Sequence, residues 1–343
     1  MRIATYNVEW FNALFDDLGN LLDDDQPSAR TGVTRHQQIE ALGIVFTALD
    51  ADAVLVVEAP DDTGRRSTVT ALENFAQVMG LRARRVLIGF TSDSQQEIAL
   101  LYDPDRIGAR HDPRGDPTGK KGSAEAPRFD GVFRWDLDVD AAAELIRFSK
   151  PPLELAVRSA AGFTFRMIGV HVKSKAPYGA STPDEVMRIS IQNRRKQQAQ
   201  CIWLRQRIEA HLAAGESLIV LGDFNDGPGL DEYEKLFGRS GVEIVMGLDV
   251  PREMRLYDPH ARQAQQGRSA AQPATARFYI HSERHFLSAL LDYVMISSDL
   301  RARRPAWRIW HPFDDPDLYR VPELREALLA ASDHFPVSLD IEL

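Results

Sequence analysis

Residues 2–8 alternate apolar and polar side chains and end near Asn7, the pattern of a short, half-buried strand. A polar stretch over 12–34, with Gly, Pro, Ser and the acidic run Asp23-Asp24-Asp25, predicts a loop. Thr34 followed three residues on by Gln37 has capping-box form, and Ile39, Leu42, Phe46 and Leu49 share one face, so the spacing predicts a helix over about 35–49. The Val-rich run 53–58 predicts a buried strand that delivers Glu58 at its end. A second helix carries Val69, Leu72, Phe75, Ala76 and Met79 on one face. Strands are predicted near 84–89, 97–102, 153–158, 163–172, 218–225, 289–297 and 335–343, with a long helix over about 186–212. The Pro- and Gly-rich stretch 103–134 is either an active-site loop or poorly ordered, and 259–278 reads as a second polar loop.

Strands and helices in this mixed order indicate a layered α/β fold with two sheets rather than one doubly wound sheet. A length of 343 residues admits two average domains, but no linker divides the chain. The expectation is one domain over 1–343 with loop insertions at about 103–147 and 240–285. Hydrophobic residues at 44% and charged residues at 27% suit a soluble globular protein, and no apolar run approaches the roughly 20 residues of a membrane span. The opening MRIATYNVEW has no secretory apolar core, so a cytoplasmic location is expected. The lone Cys201 excludes an internal disulfide and a cysteine-built zinc site, and its apolar helical neighbours predict burial. A net charge of −9 disfavours a grip on long duplex nucleic acid without excluding a local basic face. No obligate protein partner is inferred.

Polar side chains recur at the ends of the apolar runs: Asn7, Glu58, His171, Asp223 with Asn225, Asp292, and Asp333 with His334. Each has a structural alternative. Asn7 could be a turn residue, Glu58 a solvated strand end, and Asp223 with Asn225 an Asx-turn. Asp292, set inside the apolar LLDYVM, needs a donor partner, for which a histidine is the best candidate. Together, several carboxylates, an Asn and two His suit a hard divalent cation such as Mg²⁺ or Mn²⁺, with the imidazoles kept for proton transfer. A three-His zinc site is the chemical rival, but only His171 and His334 stand at strand ends; His36, His111, His211 and His260 read as surface residues. The pattern does not place His281, His285 or His311.

The motifs TYNVEWF at 5–11, VVEA at 56–59, GVHVKSK at 169–175, GDFND at 222–226, LDYVMIS at 291–297 and SDHFPV at 332–337 occur in the order of the endonuclease/exonuclease/phosphatase superfamily, which the chain resembles from residue 2 to its C-terminus. The resemblance implies a four-layer αββα sandwich, two mixed sheets face to face, with the site at the sheet edges. It also implies a divalent-metal-dependent phosphoester hydrolase, of phosphodiesterase or nuclease type, using Mg²⁺ or Mn²⁺. Asn7 and Glu58 match metal-holding residues, Asn7 directly or through water, and Asp333 looks like a ligand of the metal or of its water. Asp223 and Asn225 match the pair that positions the attacking water and the scissile phosphate. His334 looks like the general base or a phosphate contact, and Asp292 resembles the acid that orients it. His171 matches a second histidine that protonates the leaving oxygen, with Lys173 and Ser174 beside the phosphate. Two departures stand out. Val57 replaces a Gln that commonly precedes the metal Glu, and Trp10-Phe11 replace the Asn-Gly-x-Arg of DNA-repair members, which argues against abasic-site recognition.

Around His171, Lys173, Lys175, Arg188, Arg194, Arg195, Lys196, Arg205 and Arg207 outnumber Asp184, Glu185 and Glu209. This is either a phosphate-steering flank, with Lys173 and Arg194 the best contacts, or a solvated helix face. Tyr178, Phe11, Phe224 and Phe335 could stack on a base or sugar, although the last two fit a core better. The substrate is then a nucleic acid or a small phosphorylated compound. A phosphomonoesterase or lipid-type phosphodiesterase is the alternative that the acidic charge favours, and a non-catalytic binding module of the same fold is a minor one.

Overall fold

The computed structural model describes residues 1–92, 94–135, 143–228, 237–267, 272–280 and 284–343. His281 and parts of the two predicted insertions lie outside the described residues. The first half of the chain forms strands β1 (Arg2–Asn7), β2 (Ala53–Pro60), β3 (Arg85–Ile88), β4 (Gln96–Tyr102), β5 (Ile107–His111), β6 (Phe133–Trp135), β7 (Glu144–Ile146), β8 (Leu153–Ser159) and β9 (Thr164–His171). The second half adds β10 (Leu218–Asp223), β11 (Leu256–Tyr257), β12 (Ala276–Ile280), β13 (His285–Ala289), β14 (Asp292–Ser297), β15 (Ala306–Ile309) and β16 (Val337–Asp340). The principal helices are α1 (Arg35–Leu49), α2 (Thr68–Val78) and α3 (Pro183–Ala213).

Two six-stranded sheets run in the orders β15-β16-β1-β2-β4-β3 and β11-β14-β10-β9-β8-β5. Both are mixed: β1 lies parallel to β2 and β9 parallel to β10, and each parallel pair is flanked by antiparallel neighbours. Alternation along each strand sends one set of side chains between the sheets and the other toward helices. Ile3, Leu55, Val57, Met167, Ile219, Leu221, Val294 and Ile296 fill the layer between the sheets. On the outer face of the first sheet, Tyr6, Val54 and Val56 pack with Leu42 and Phe46 of α1 and with Leu72 and Phe75 of α2. On the second, Ile168, Val170 and Val220 pack with Trp203, Leu204 and Ile208 of α3. The result is a four-layer αββα sandwich of two mixed sheets. The first residues pair with the last: the Met1 amine donates to the Ile341 carbonyl oxygen at 2.8 Å. Among the described residues, no helix is long and apolar enough to cross a membrane.

Several expectations change. The stretch 259–278 contains a helix, Pro259–Gln266, and the start of β12. That helix buries only Ala261, so it shows no apolar period; it is started by Asp258, whose carboxylate accepts from the His260 and Ala261 amides, with proline in its first turn. β5 and β6 occupy part of 103–134. Asp292 opens β14 rather than lying within it. His211 is buried, not superficial: its ring nitrogens meet Glu154 at 3.0 Å and Glu216 at 2.6 Å. Cys201 is buried as its neighbours predict.

Candidate active site

The second sheet sets Asp223 opposite His171 on one side and opposite Asp292 on the other, so three functional groups stand on adjacent strands at one rung. β14 runs antiparallel to β10, which is why the first residue of one meets the last of the other. All three share the alternation phase of side chains that fill the layer between the sheets, and they form its polar end. From the first sheet Asn7 reaches across, its Nδ2 donating to Asp223 Oδ2 at 3.0 Å. The Asn225 amide donates to Asp223 Oδ1 at 2.7 Å, and its Nδ2 to Asp223 Oδ2 and to the Val172 carbonyl oxygen, both at 3.1 Å. Asn225 holds this position with φ 50°, a left-handed conformation that Asn tolerates better than most residues.

Glu58 arrives by a different device. Regular alternation would turn it outward with Val54 and Val56, but the register with β4 shifts between Val57 and Ala59, and Ala59 resumes the outward packing. Glu58 is thus the extra residue of a β-bulge, with φ 61°, and lines the cleft between the sheet ends. Its Oε2 accepts from the Trp10 amide at 3.2 Å and from Gln96 Nε2 on β4. Val57, where a Gln is common in the family resembled, is fully buried between the sheets, and the Gln96 contact to Glu58 comes from β4.

The donor that Asp292 requires is His334, whose Nδ1 lies 2.8 Å from Asp292 Oδ2. Backbone contacts fix the loop that carries it. The Ser332 hydroxyl donates to the Asn7 carbonyl oxygen at 2.8 Å, the Arg277 amide to the Asp333 carbonyl oxygen at 2.7 Å, and the Phe335 amide to the Thr275 carbonyl oxygen at 2.6 Å. The segment entering β12 therefore braces both Asp292, whose amide donates to Thr275 Oγ1, and His334. Sequence reasoning did not find this brace, because ATARFYI carries no functional side chain that marks it.

Burial and crowding set the protonation states. Burial and the neighbouring Asp292 carboxylate push the Asp223 carboxyl up to about 7. Burial also raises Glu58. Burial opposes a charge on His334, yet Asp292, Asp223 and Asp333 together hold its imidazolium well above the ordinary histidine range. His171, 3.6 Å from Asp223, is driven well below that range by burial and by the charges of Lys150 and His334. The Oδ1 atoms of Asn7 and Asp292 are buried without a hydrogen-bond partner. Unpaired oxygens beside carboxylates that resist ionisation are the donor set a hard divalent cation satisfies. Donor atoms of Asp223, Asp292 and His334 lie within 4.8 Å of one another, a group that could hold a metal ion only with His334 deprotonated.

Asn7, Glu58, His171, Asp223, Asn225 and His334 floor a cleft of about 800 Å³ that Asp333, Lys173, Ser174 and Tyr178 also line, with Asp292 buried behind His334. Lys150, which no motif marks, belongs here as well; burial lowers its pKa, while Glu58 and Asp223 favour its charge. Arg194 is not part of the lining. It is buried, with NH1 2.8 Å from Asp226 Oδ1 and 3.0 Å from Gln197 Oε1. Arg205 and Arg207 are buried too, Arg205 on the Val245 and Met254 carbonyls and Arg207 on Glu154, so they do not form a solvent-facing flank. Phe11 packs edge-on against Phe75 in the core; its neighbour Trp10 is the exposed ring. Phe224 and Phe335 are core residues.

A model of the Endonuclease/Exonuclease/phosphatase family matches residues 4–334. Among solved structures, TDP2 from Caenorhabditis elegans superimposes with a TM-score of 0.52 at 12% identity, over 100% of this chain and 74% of that one. An AP endonuclease from Archaeoglobus fulgidus gives 0.51 at 13% identity over 100% of both chains. An endonuclease/exonuclease/phosphatase family protein from Bacteroides thetaiotaomicron gives 0.50 at 14% identity over 99% of this chain and 93% of that one. At such identities the likeness shows the fold. No curated protein sequence matches significantly.

Proposed function

The chain belongs to the endonuclease/exonuclease/phosphatase family, and we propose that it is a divalent-metal-dependent phosphoester hydrolase, of phosphodiesterase or nuclease type, that works by in-line attack of water. The observation that carries this reading is the single rung of His171, Asp223 and Asp292, with His334 bonded to Asp292 and with Asn7 and Glu58 facing it from the other sheet. Both sheets draw on both halves of the chain, β16 pairing with β1 and β10 with β9, which supports reading 1–343 as one domain.

Asn7, Glu58 and Asp333 would hold Mg²⁺ or Mn²⁺, which when bound offsets negative charge on the phosphoryl oxygens. Asp223, with its carboxyl near 7, is matched to accept the water's proton, and Asn225 keeps that carboxylate oriented. The His334 imidazolium, anchored by Asp292, suits a phosphate contact better than a base, since it keeps its proton at neutral pH. Neutral His171 orients toward the leaving oxygen as a hydrogen-bond donor, and Lys150, Lys173 and Ser174 meet the remaining phosphate oxygens.

The purified protein is expected to cleave bis-p-nitrophenyl phosphate with Mg²⁺ or Mn²⁺ and to lose this activity in EDTA. Asp223→Asn and His334→Ala should each lower the rate about 10²- to 10⁴-fold. Absence of cleavage across a panel of divalent ions would overturn the reading. A second reading, a phosphomonoesterase or lipid-type phosphodiesterase, is favoured by the net charge of −9, and faster release from monoesters than from diesters would establish it.

A further inference from the structure

Three aromatic rings stand on the rim of this cleft from three separate parts of the chain: Trp10 after β1, Tyr178 between β9 and α3, and Tyr279 on β12. They are 43%, 80% and 42% exposed, although burying an aromatic ring is among the larger stabilising contributions open to a fold. The core does not lack aromatics, since Phe11, Phe224 and Phe335 beside the same motifs are buried. The rim rings thus keep much of their surface exposed around a polar floor.

The ring on the hairpin is held, not loose. Tyr279 packs against Phe286 with centroids 5.1 Å apart and planes at 66°, and the Arg277 guanidinium lies 3.7 Å over the Phe286 ring. The same hairpin is joined to the catalytic loop by the bridge between Ala276 and His334. Tyr178 lines the same cleft from the segment that follows Lys173, and the exposed Lys196 adds a second positive charge close to Lys173.

Deepening the hydrolase reading, on which this inference rests, we propose that the rim of Trp10, Tyr178 and Tyr279 is a stacking site for unpaired nucleobases and that the substrate is a single-stranded nucleic-acid phosphodiester. Only an unstacked base offers a free π-face, and ring-on-base stacking beside a backbone-tracking cation is how single strands are held without sequence readout. A duplex covers its base faces and relies on phosphate neutralisation over a long basic surface, which a net charge of −9 does not provide. A cleft of about 800 Å³ is also far larger than a lone phosphate group needs.

The test compares three oligonucleotides of equal length in Mn²⁺: a single strand, its duplex, and a single strand with abasic spacers flanking the phosphates. The single strand should exceed the other two in kcat/KM by about tenfold or more. Tyr178→Leu and Tyr279→Leu should each shrink that preference about fivefold, and Phe at either position should restore it. Fluorescence anisotropy with the same oligonucleotides reads the rim independently of turnover: the base-bearing strand should bind about tenfold more tightly than the abasic one. Equal binding and equal cleavage of base-bearing and abasic strands would overturn the proposal while leaving the hydrolase reading intact. Loss of all cleavage, with tighter binding of the base-bearing strand retained, would overturn the hydrolase reading instead and support the rim.

Discussion

At Gly222 the backbone runs with φ +133°, and a Cβ added there would collide with the Val170 carbonyl oxygen on the adjacent strand. The residue just before Asp223 must therefore be glycine for β9 and β10 to stay close enough to align His171 with Asp223. Of the candidate residues, those standing at strand tips were legible in the sequence, because an acid or imidazole closing an apolar run is a visible anomaly. Lys150 and Gln96 were not, since a Lys before two prolines and a Gln opening a strand look ordinary until the cleft is assembled. Arg194 misled in the opposite direction: its charge suggested solvent or phosphate, and the fold spends it on buried Asp226. Glu97, next to Gln96, offers a pH-dependent prediction. Its carboxylate is buried, accepts from the Ser92 amide at 2.9 and 3.1 Å, and is pushed up to about 7 by burial and by Asp62. The folded pKa lies above the unfolded value of about 4.3, so the folded state holds the proton longer and stability falls as pH rises between these values. Glu97→Gln should remove that fall and raise the melting temperature at pH 8 more than at pH 5. An equal shift at both pH values would contradict it.

Among the elements, α1 was readable from apolar residues recurring on one face, and β2 from its uninterrupted apolar run. The bulge in β2 was not, since a register shift depends on the partner strand β4. The helix α3 shows why the region before it looked unstructured. Trp203 on α3 stands with ring centroids 5.4 Å from Phe129, 5.4 Å from Phe133 and 5.1 Å from Phe148, and its Nε1 donates to the Pro127 carbonyl oxygen at 2.8 Å. Pro127, Phe129, Phe133 and Phe148 thus pack on a side chain 55 or more positions away, a contact that local composition does not reveal. Trp203→Ala should destabilise the protein by about 3–5 kcal/mol in urea unfolding and open this region to limited proteolysis. Cleavage there that matches the wild-type protein would show the segment to be held by other means.

At the scale of the whole molecule, the site exists only because two sheets meet at one separation. Gly169, on β9, faces Leu55 on β2 so closely that a Cβ would overlap the leucine side chain. Gly169→Val is expected to cost about 1–3 kcal/mol by overpacking and to draw Asn7 and Glu58 away from Asp223, lowering activity along with stability. Leu55→Ala should recover part of both in the double variant, giving a positive coupling in a double-mutant cycle; strict additivity would mean that the sheets are not held apart there. The two sheets also repeat one scheme: a parallel pair, β1 with β2 and β10 with β9, and an antiparallel neighbour, β16 or β14, beside the first strand of each. Asn7 ends β1 as Asp223 ends β10, and Glu58 follows in β2 where His171 closes β9.

The pairing of Met1 with Ile341 has a geometric consequence. β1 begins beside the last strand and ends at Asn7, so residues 1 and 341 sit at the pole of the sandwich opposite the cleft. A chain, tag or surface attached at that pole leaves the mouth of the cleft pointing outward, and a tethered form of this protein presents its candidate site to whatever passes in solution.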